Sequence, residues 1–209
     1  FTRGELEAIA ELCICYDAIA FTDEIYEHIL YEGTHIPLAT LDGMRERTVT
    51  VSGASKTFSV TGWRVGTILA PVDLTAAIRK VHDFLTVGAP APLQDAIAAG
   101  LETLGDDYYR DLAEGYRERR NTLLPALQDA GFRCSPPEGA YYVLADFSDL
   151  SDEDDDAFAR RLAAEAGVAT VPGSSFFRRG DDGRDLVRFA FCKRVETLEE
   201  AGKRLAKLR

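Results

Sequence analysis

At 209 residues and 46% apolar side chains, the chain is long enough for one ordinary domain, or one and a half small ones, around a real core. No apolar run approaches membrane-spanning length, and Phe1-Thr2-Arg3-Gly4 leads straight into a helical pattern rather than a signal peptide. A net charge of −11, from 35 acidic against 24 basic residues, excludes nucleic-acid binding through a general positive field.

The acids gather in Asp106-Asp107, in 152–156 and in Asp181-Asp182, runs that read as solvated faces or loops. Cys13, Cys15, Cys134 and Cys192 lack the CxxC metal pattern, and Cys13 and Cys15 point in roughly opposite directions on a helix. They read as buried free thiols in a reducing cytoplasm. His28, His35 and His82 are isolated and lack ligand spacing, so no metal is assigned.

In chain order, the spacing predicts a helix over 5–16, with Leu6, Ile9, Ala10 and Cys13 on one face and Thr2 as N-cap. Ala18 to Thr22 is a short apolar run ending in an acid, like a buried parallel strand, and it sets Asp23 and Tyr26 at its C-terminal end. Thr48 to Ser52 reads as a second such strand, with Lys56 following in a loop that contains Gly53. Val65 to Ala70 reads as a third, ended by Pro71. Helical patterns run from Asp73 to Phe84, from Pro92 to Leu104 and from Tyr108 to Ala130. After Gly131 come a strand over 140–144, a helix over 155–166, strands over 168–171 and 186–191, and a closing helix from Glu196. This tail reads as a small α+β domain. There is no internal repeat and no low-complexity linker.

Ligands in open α/β sheets bind outside the carboxyl ends of the strands, where Asp23 and Lys56 both fall. The stretch from Ser55 to Gly66 carries the most chemistry. A lysine behind a hydroxyl, with an arginine eight residues on across Thr61-Gly62-Trp63, can condense with an aldehyde while Ser55 and Arg64 hold a phosphate beside it. The aldehyde cofactor that also carries a phosphate is pyridoxal 5′-phosphate. Arg64 lies between Trp63 and Val65 in an apolar setting, where an unpaired guanidinium is expensive, so it needs an anionic partner. Arg188 sits in the apolar run from Leu186 to Phe191, where its fork matches a carboxylate. Tyr141, Tyr142, Phe176 and Phe177 are aromatics that suit either an apolar pocket or plain core.

These motifs resemble the class I/II aminotransferases of the fold-type-I pyridoxal-phosphate enzymes over essentially the whole chain. Thr22-Asp23-Glu24-Ile25-Tyr26-Glu27 is similar to that family's DE-x-Y-E motif, and Ser55 to Gly66 to its SK-x-F-x-x-TGWR-x-G motif. Pro172-Gly173-Ser174-x-Phe176 and Val187-Arg188-Phe189-Ala190-Phe191 look like its late substrate-binding motifs. His82, Pro90, Gln94, Tyr141-Tyr142 and Arg188-Phe189-x-Phe191 carry a finer likeness to the kynurenine/glutamine/methionine aminotransferase subgroup.

The resemblance implies an α/β fold. Residues 1–104 would be the C-terminal portion of a pyridoxal-phosphate-binding large domain, and residues 105–209 a small α+β domain. The family's N-terminal half, with its phosphate loop and ring-stacking aromatic, is missing. The implied activity is transfer of an amino group between an L-amino acid and a 2-oxo acid, in a cytoplasmic homodimer. The alternatives are a cysteine-conjugate β-lyase, a non-catalytic fragment, or the sensor half of a transcription regulator. In the roles implied, Lys56 forms the Schiff base and shuttles a proton, and Asp23 pairs with the pyridine nitrogen. Tyr26 donates to the ring oxygen, Ser55 and Arg64 grip the phosphate, and Arg188 binds the substrate carboxylate. Many family members carry a hydroxyl three residues before the lysine; Gly53 stands there, with Ser52 the nearest substitute.

Overall fold

The computed structural model describes residues 1–208, which form two compact units, the first Phe1–Arg110 and the second beginning at Asp111. Among the described residues no helix is long and apolar enough to cross a membrane.

The first unit opens with helix α1, Arg3–Cys15. Thr2 caps it: the Glu5 amide donates to Thr2 Oγ1 at 3.3 Å, and the Glu5 carboxylate accepts from the Thr2 amide at 2.6 Å. This reciprocal box is the start signal that the Thr2-x-x-Glu5 spacing encodes. Leu6 and Ala10 turn inward onto Leu38, Leu41 and Met44. A three-stranded sheet follows, β1 (Ala20–Asp23), β2 (Thr48–Gly53) and β3 (Gly66–Leu69), in the order β1-β2-β3. β1 runs parallel to β2 with Asp23 opposite Val51, and β3 runs antiparallel with Gly66 opposite Gly53. Between β2 and β3 lies a one-turn helix, α2 (Ala54–Thr57). Helices α3 (Val72–Leu85) and α4 (Ala91–Thr103) complete this part of the chain.

Four expectations change here. β3 is antiparallel rather than another parallel strand, because the segment from Phe58 to Val65 is a tight return and not a crossover, and only a crossover joins parallel neighbours. β1 and β3 are also not buried, with Phe21 71% and Leu69 69% exposed, whereas β2 is buried over Thr48, Val49 and Thr50. Apolar runs read as buried when helices cover both faces of a sheet, and in this unit one face of β1 and all of β3 lie open. Lys56 sits on a helical turn instead of a loop. The thiols differ as well: Cys15 is exposed and Cys13, Cys134 and Cys192 only partly buried, although all are free.

Helix α5 (Asp106–Asp129) leads into the second unit, whose sheet comprises β4 (Tyr142–Asp146), β5 (Val171–Pro172) and β6 (Leu186–Ala190) in the antiparallel order β4-β6-β5. Burial alternates along β4 and β6, with Val143, Ala145, Val187 and Phe189 on the core face. Phe147 stacks on Phe158 with ring centroids 4.0 Å apart, and Phe132 meets Phe158 and Phe189 edge-on. Helix α6 (Asp155–Arg161) is capped by Asp154, which accepts from the Ala157 amide at 2.9 Å. It continues as a π-turn over Leu162–Ala166 and ends at Gly167 in the left-handed region.

Helix α7 (Val195–Leu205) closes the unit by presenting Gly202 to α5, where an added Cβ would lie 2.7 Å from the Ala126 Cβ. Replacing a helical glycine by alanine ordinarily gains about 1 kcal/mol. Here overpacking between two helix backbones costs about 1–3 kcal/mol, so the clash wins. Gly202→Ala is therefore expected to lower the urea midpoint of the second unit. Adding Ala126→Gly to that variant is expected to restore most of the loss.

Candidate functional site

Parallel pairing brings the C-terminal ends of β1 and β2 to one edge of the sheet. Asp23 is the last residue of β1, and the Glu24 amide makes a final rung to the Val51 carbonyl at 2.8 Å. The chain then turns through Glu24–His28, with the Glu27 amide donating to the Glu24 carbonyl at 3.0 Å. The Asp23 carboxylate accepts from the Ile25 amide at 3.3 Å, an Asx-type contact that fixes its direction. Tyr26 lies half-buried in the same turn.

β2 ends at the same edge, and α2 lifts Ser55 and Lys56 from it, both half-buried. The turn is held from below: the Tyr108 hydroxyl donates to the Thr57 carbonyl at 2.7 Å, and its ring stacks on Phe58 at 5.7 Å. Burial pushes the Tyr108 phenol above its ordinary pKa, and the nearby Tyr109 adds to the effect.

The second cation arrives by a different device. β3 starts beside the end of β2 because it runs the other way, with Gly53 facing Gly66 and the Ala54 amide bonded to the Val65 carbonyl at 3.2 Å. An added Cβ on Gly66 would lie 3.1 Å from the Ser52 carbonyl, so this approach suits glycine. Arg64, just before β3, therefore stands at the edge that carries Asp23 and Lys56. It is exposed rather than enclosed by apolar neighbours, and its Nη1 donates to the Thr61 carbonyl at 3.2 Å. Thr61 in turn donates to the Ser55 carbonyl at 3.1 Å, tying the arginine turn to the lysine turn. A cleft of about 660 Å³ opens here, with Ser52, Arg64, Thr67, His82, Thr86 and Gln94 in its wall.

Sequence reasoning missed the side-chain network behind this edge. Glu24, only 8% exposed, accepts from Thr22 Oγ1 at 2.8 Å and meets His35 Nε2 at 2.8 Å. Glu27 Oε1 accepts from Ser52 Oγ at 2.5 Å. The hydroxyl considered as a substitute phosphate donor is thus directed at a carboxylate. Glu24, Glu27 and His35 bring potential ligand atoms within 4.8 Å of one another, but these hydrogen bonds already engage the carboxylates and the imidazole. The signal in the sequence was faint, since His35 lies 11 residues beyond Glu24 through irregular chain.

Arg188 belongs to the second unit. It lies on the outer face of the central strand β6, opposite Leu144 on one side and Val171 on the other. Its guanidinium is held between the Tyr142 ring at 4.1 Å and the Phe176 ring at 4.3 Å. Nε is buried and has no hydrogen-bond partner among the described residues. Leaving such a donor unsatisfied costs about 1–3 kcal/mol, which an anionic acceptor would recover. The cleft beside it has a volume of about 810 Å³ and also holds Arg133, whose guanidinium is committed to Asp146, Ser148 and Asp149. Of the other aromatics, Tyr141 is core, stacked on Tyr116 at 5.6 Å, while Phe177 is 39% exposed.

The arrangement offers an amine, a carboxylate, a phenol and a guanidinium at one sheet edge, and a stacked guanidinium with a free donor on the other unit. A family model described as aminotransferase class I and II matches residues 1–205. The solved structure of N-succinyldiaminopimelate aminotransferase from Mycobacterium tuberculosis is similar at a TM-score of 0.95 and 39% identity, covering 100% of this chain and 54% of that one. The kynurenine–oxoglutarate transaminase of Dictyostelium discoideum is 35% identical over 233 residues, covering 100% of this chain and 53% of the relative. The methionine aminotransferase of Escherichia coli is 35% identical over 207 residues, covering 99% and 53%. The chain spans about half the length of the curated relatives it matches.

Arg64 adopts φ 56, ψ 38, a left-handed conformation that strains a residue with a Cβ. Relief of about 1–2 kcal/mol outweighs the extra unfolded-state entropy of glycine, about 0.5–1 kcal/mol. Arg64→Gly is therefore expected to raise the thermal midpoint of the chain slightly while removing the cation from the edge. An unchanged or lower midpoint in calorimetry would mean that the turn carries no strain.

Proposed function

The chain belongs to the aminotransferase class I and II family, and from that membership we propose that it supplies half of a pyridoxal-phosphate site for amino transfer between an L-amino acid and a 2-oxo acid. The observation that carries the reading is the convergence of Asp23, Lys56 and Arg64 at one edge of the first sheet, where β1 and β2 end and β3 begins. The donor set suits the group: an aldehyde meets an amine, a ring nitrogen meets a carboxylate, a ring oxygen meets a phenol, and a phosphate meets a guanidinium.

When bound, the cofactor supplies an electron sink that lets the Cα–H bond of an amino acid ionise. Each residue has a separate task. The Asp23 carboxylate, oriented by the Ile25 amide, holds positive charge on the ring nitrogen. Tyr26 donates its phenol hydrogen to the ring oxygen. Arg64 and Ser55 hold the phosphate by charge-assisted hydrogen bonds. Lys56 Nζ would hold the cofactor by its aldehyde carbon and would move the proton at the substrate Cα. Arg188 takes the substrate α-carboxylate, giving its buried Nε an acceptor, while Tyr142 and Phe176 keep the fork planar against their rings. The working form is a homodimer in the cytoplasm, and the small-molecule partners are the amino acid and the oxo acid.

Pyridoxal phosphate titrated into the chain is expected to develop a visible absorption band at saturation, and Lys56→Ala is expected to lack it. A band of equal strength in both would assign the absorption to other lysines and remove Lys56 from the site. For Arg188 the expected change is in the carboxylate ligand. Arg188→Lys removes the fork but keeps the charge, and should weaken binding of a 2-oxo acid at least about tenfold by calorimetry, the scale of one lost charge-assisted hydrogen bond. Equal affinity would reject the assignment.

A further inference from the structure

The backbone ladder between β1 and β2 stops at the rung from the Glu24 amide to the Val51 carbonyl. Asp23 is the last paired residue of β1, and past the rung the two segments separate: one carries Tyr26, the other Ser55 and Lys56. A turn attached to a sheet by its last rung is free to hinge there unless a side chain bridges the gap. A bridge across it is the Ser52 hydroxyl donating to Glu27 Oε1 at 2.5 Å. It belongs to the short, strong class of O–H···O⁻ hydrogen bonds. Ser52 lies one residue before the end of β2, so the bond grips the strand just ahead of α2.

We propose that Glu27 is a positioning residue: through Ser52 it sets the spacing between the turn bearing Tyr26, which follows directly on Asp23, and the helical turn bearing Lys56. The proposal rests on the reading of Lys56 and Asp23 as cofactor-directed residues. The rest of the turn is arranged to make this tie effective. Glu24 anchors the opposite side through Thr22 and His35. Both neighbouring carboxylates are thereby engaged within the protein, and Asp23, exposed and bonded to the Ile25 amide, is the acid left facing outward. Shortening Glu27 would release the turn without removing any group that touches the cofactor.

Two readouts on the whole chain test this together. The first is amide hydrogen exchange without cofactor. Glu27→Ala and Ser52→Ala are each expected to speed exchange about tenfold at 24–28 and also at 54–58, the double variant no more than either single one. Glu27→Gln keeps a carbonyl acceptor for the serine hydroxyl and should remain near the unsubstituted chain. The second readout is borohydride capture of pyridoxal phosphate, mapped by peptide, with Lys80, Lys193, Lys203 and Lys207 as internal controls. Capture at Lys56 should fall several-fold in the two alanine variants and recover in Glu27→Gln, with the control lysines unchanged. Equal capture at Lys56 in all variants, or faster exchange confined to 24–28, overturns the proposal. Capture at Lys56 no better than at the control lysines in the unsubstituted chain overturns the cofactor reading and the proposal with it, whereas selective capture that ignores Glu27 overturns the proposal alone.

Discussion

The pairing of Gly53 with Gly66 is the constraint on which the first unit's chemistry depends. Two parallel strands alone bring Asp23 and Lys56 to a common edge, but the cation proposed to hold a phosphate arrives from later in the chain. An antiparallel return delivers it: β3 begins where β2 ends, so Arg64, two residues before β3, falls at that edge. The return is possible because the two facing residues lack side chains, with Gly66 passing close to the Ser52 carbonyl. Its cost is a non-glycine residue in the left-handed region at Arg64. Strain of that kind persists where surrounding bonds over-determine it, and the links from Thr61 to Ser55 and from Arg64 to Thr61 do so.

Electrostatics divide the acids of the β1 turn by partner. Glu24 and Glu27 are engaged by hydroxyl and imidazole groups, whereas the Asp23 carboxylate, among the described residues, accepts from the Ile25 amide. In the second unit the same logic separates two arginines lining one cleft. Arg133 is engaged by two carboxylates and a hydroxyl, whereas Arg188 is held by aromatic faces that fix its plane and leave a donor without an acceptor. A guanidinium in that state is suited to a ligand more than to stability.

Much of this was legible in the sequence where the determinants are local. The capping box at Thr2 and Glu5 and the apolar spacing of 73–84, 92–104 and 108–130 locate α1, α3, α4 and α5 to within two residues. The alternation around Arg188 locates β6. What failed depends on pairing across the chain. Whether 65–70 runs parallel or antiparallel is set by the length of its connection to β2, and its burial by which elements cover the sheet. The strand expected over 168–171 shrinks to Val171–Pro172, because its ladder with β6 begins only where Val171 meets Arg188. His35 looked isolated, and its contact with Glu24 forms through an irregular segment that no periodicity marks. The motif around Lys56 named the residues at the edge; the ties from Tyr108, Ser52 and Glu27 became visible only in three dimensions.

A crystal structure of the chain soaked with pyridoxal phosphate tests the central claim most directly. Electron density continuous from Lys56 Nζ into the cofactor is predicted, with the ring nitrogen within hydrogen-bond distance of the Asp23 carboxylate and the phosphate against Arg64. Cofactor density elsewhere on the molecule, or bound to Lys56 with its ring nitrogen turned away from Asp23, would contradict the account.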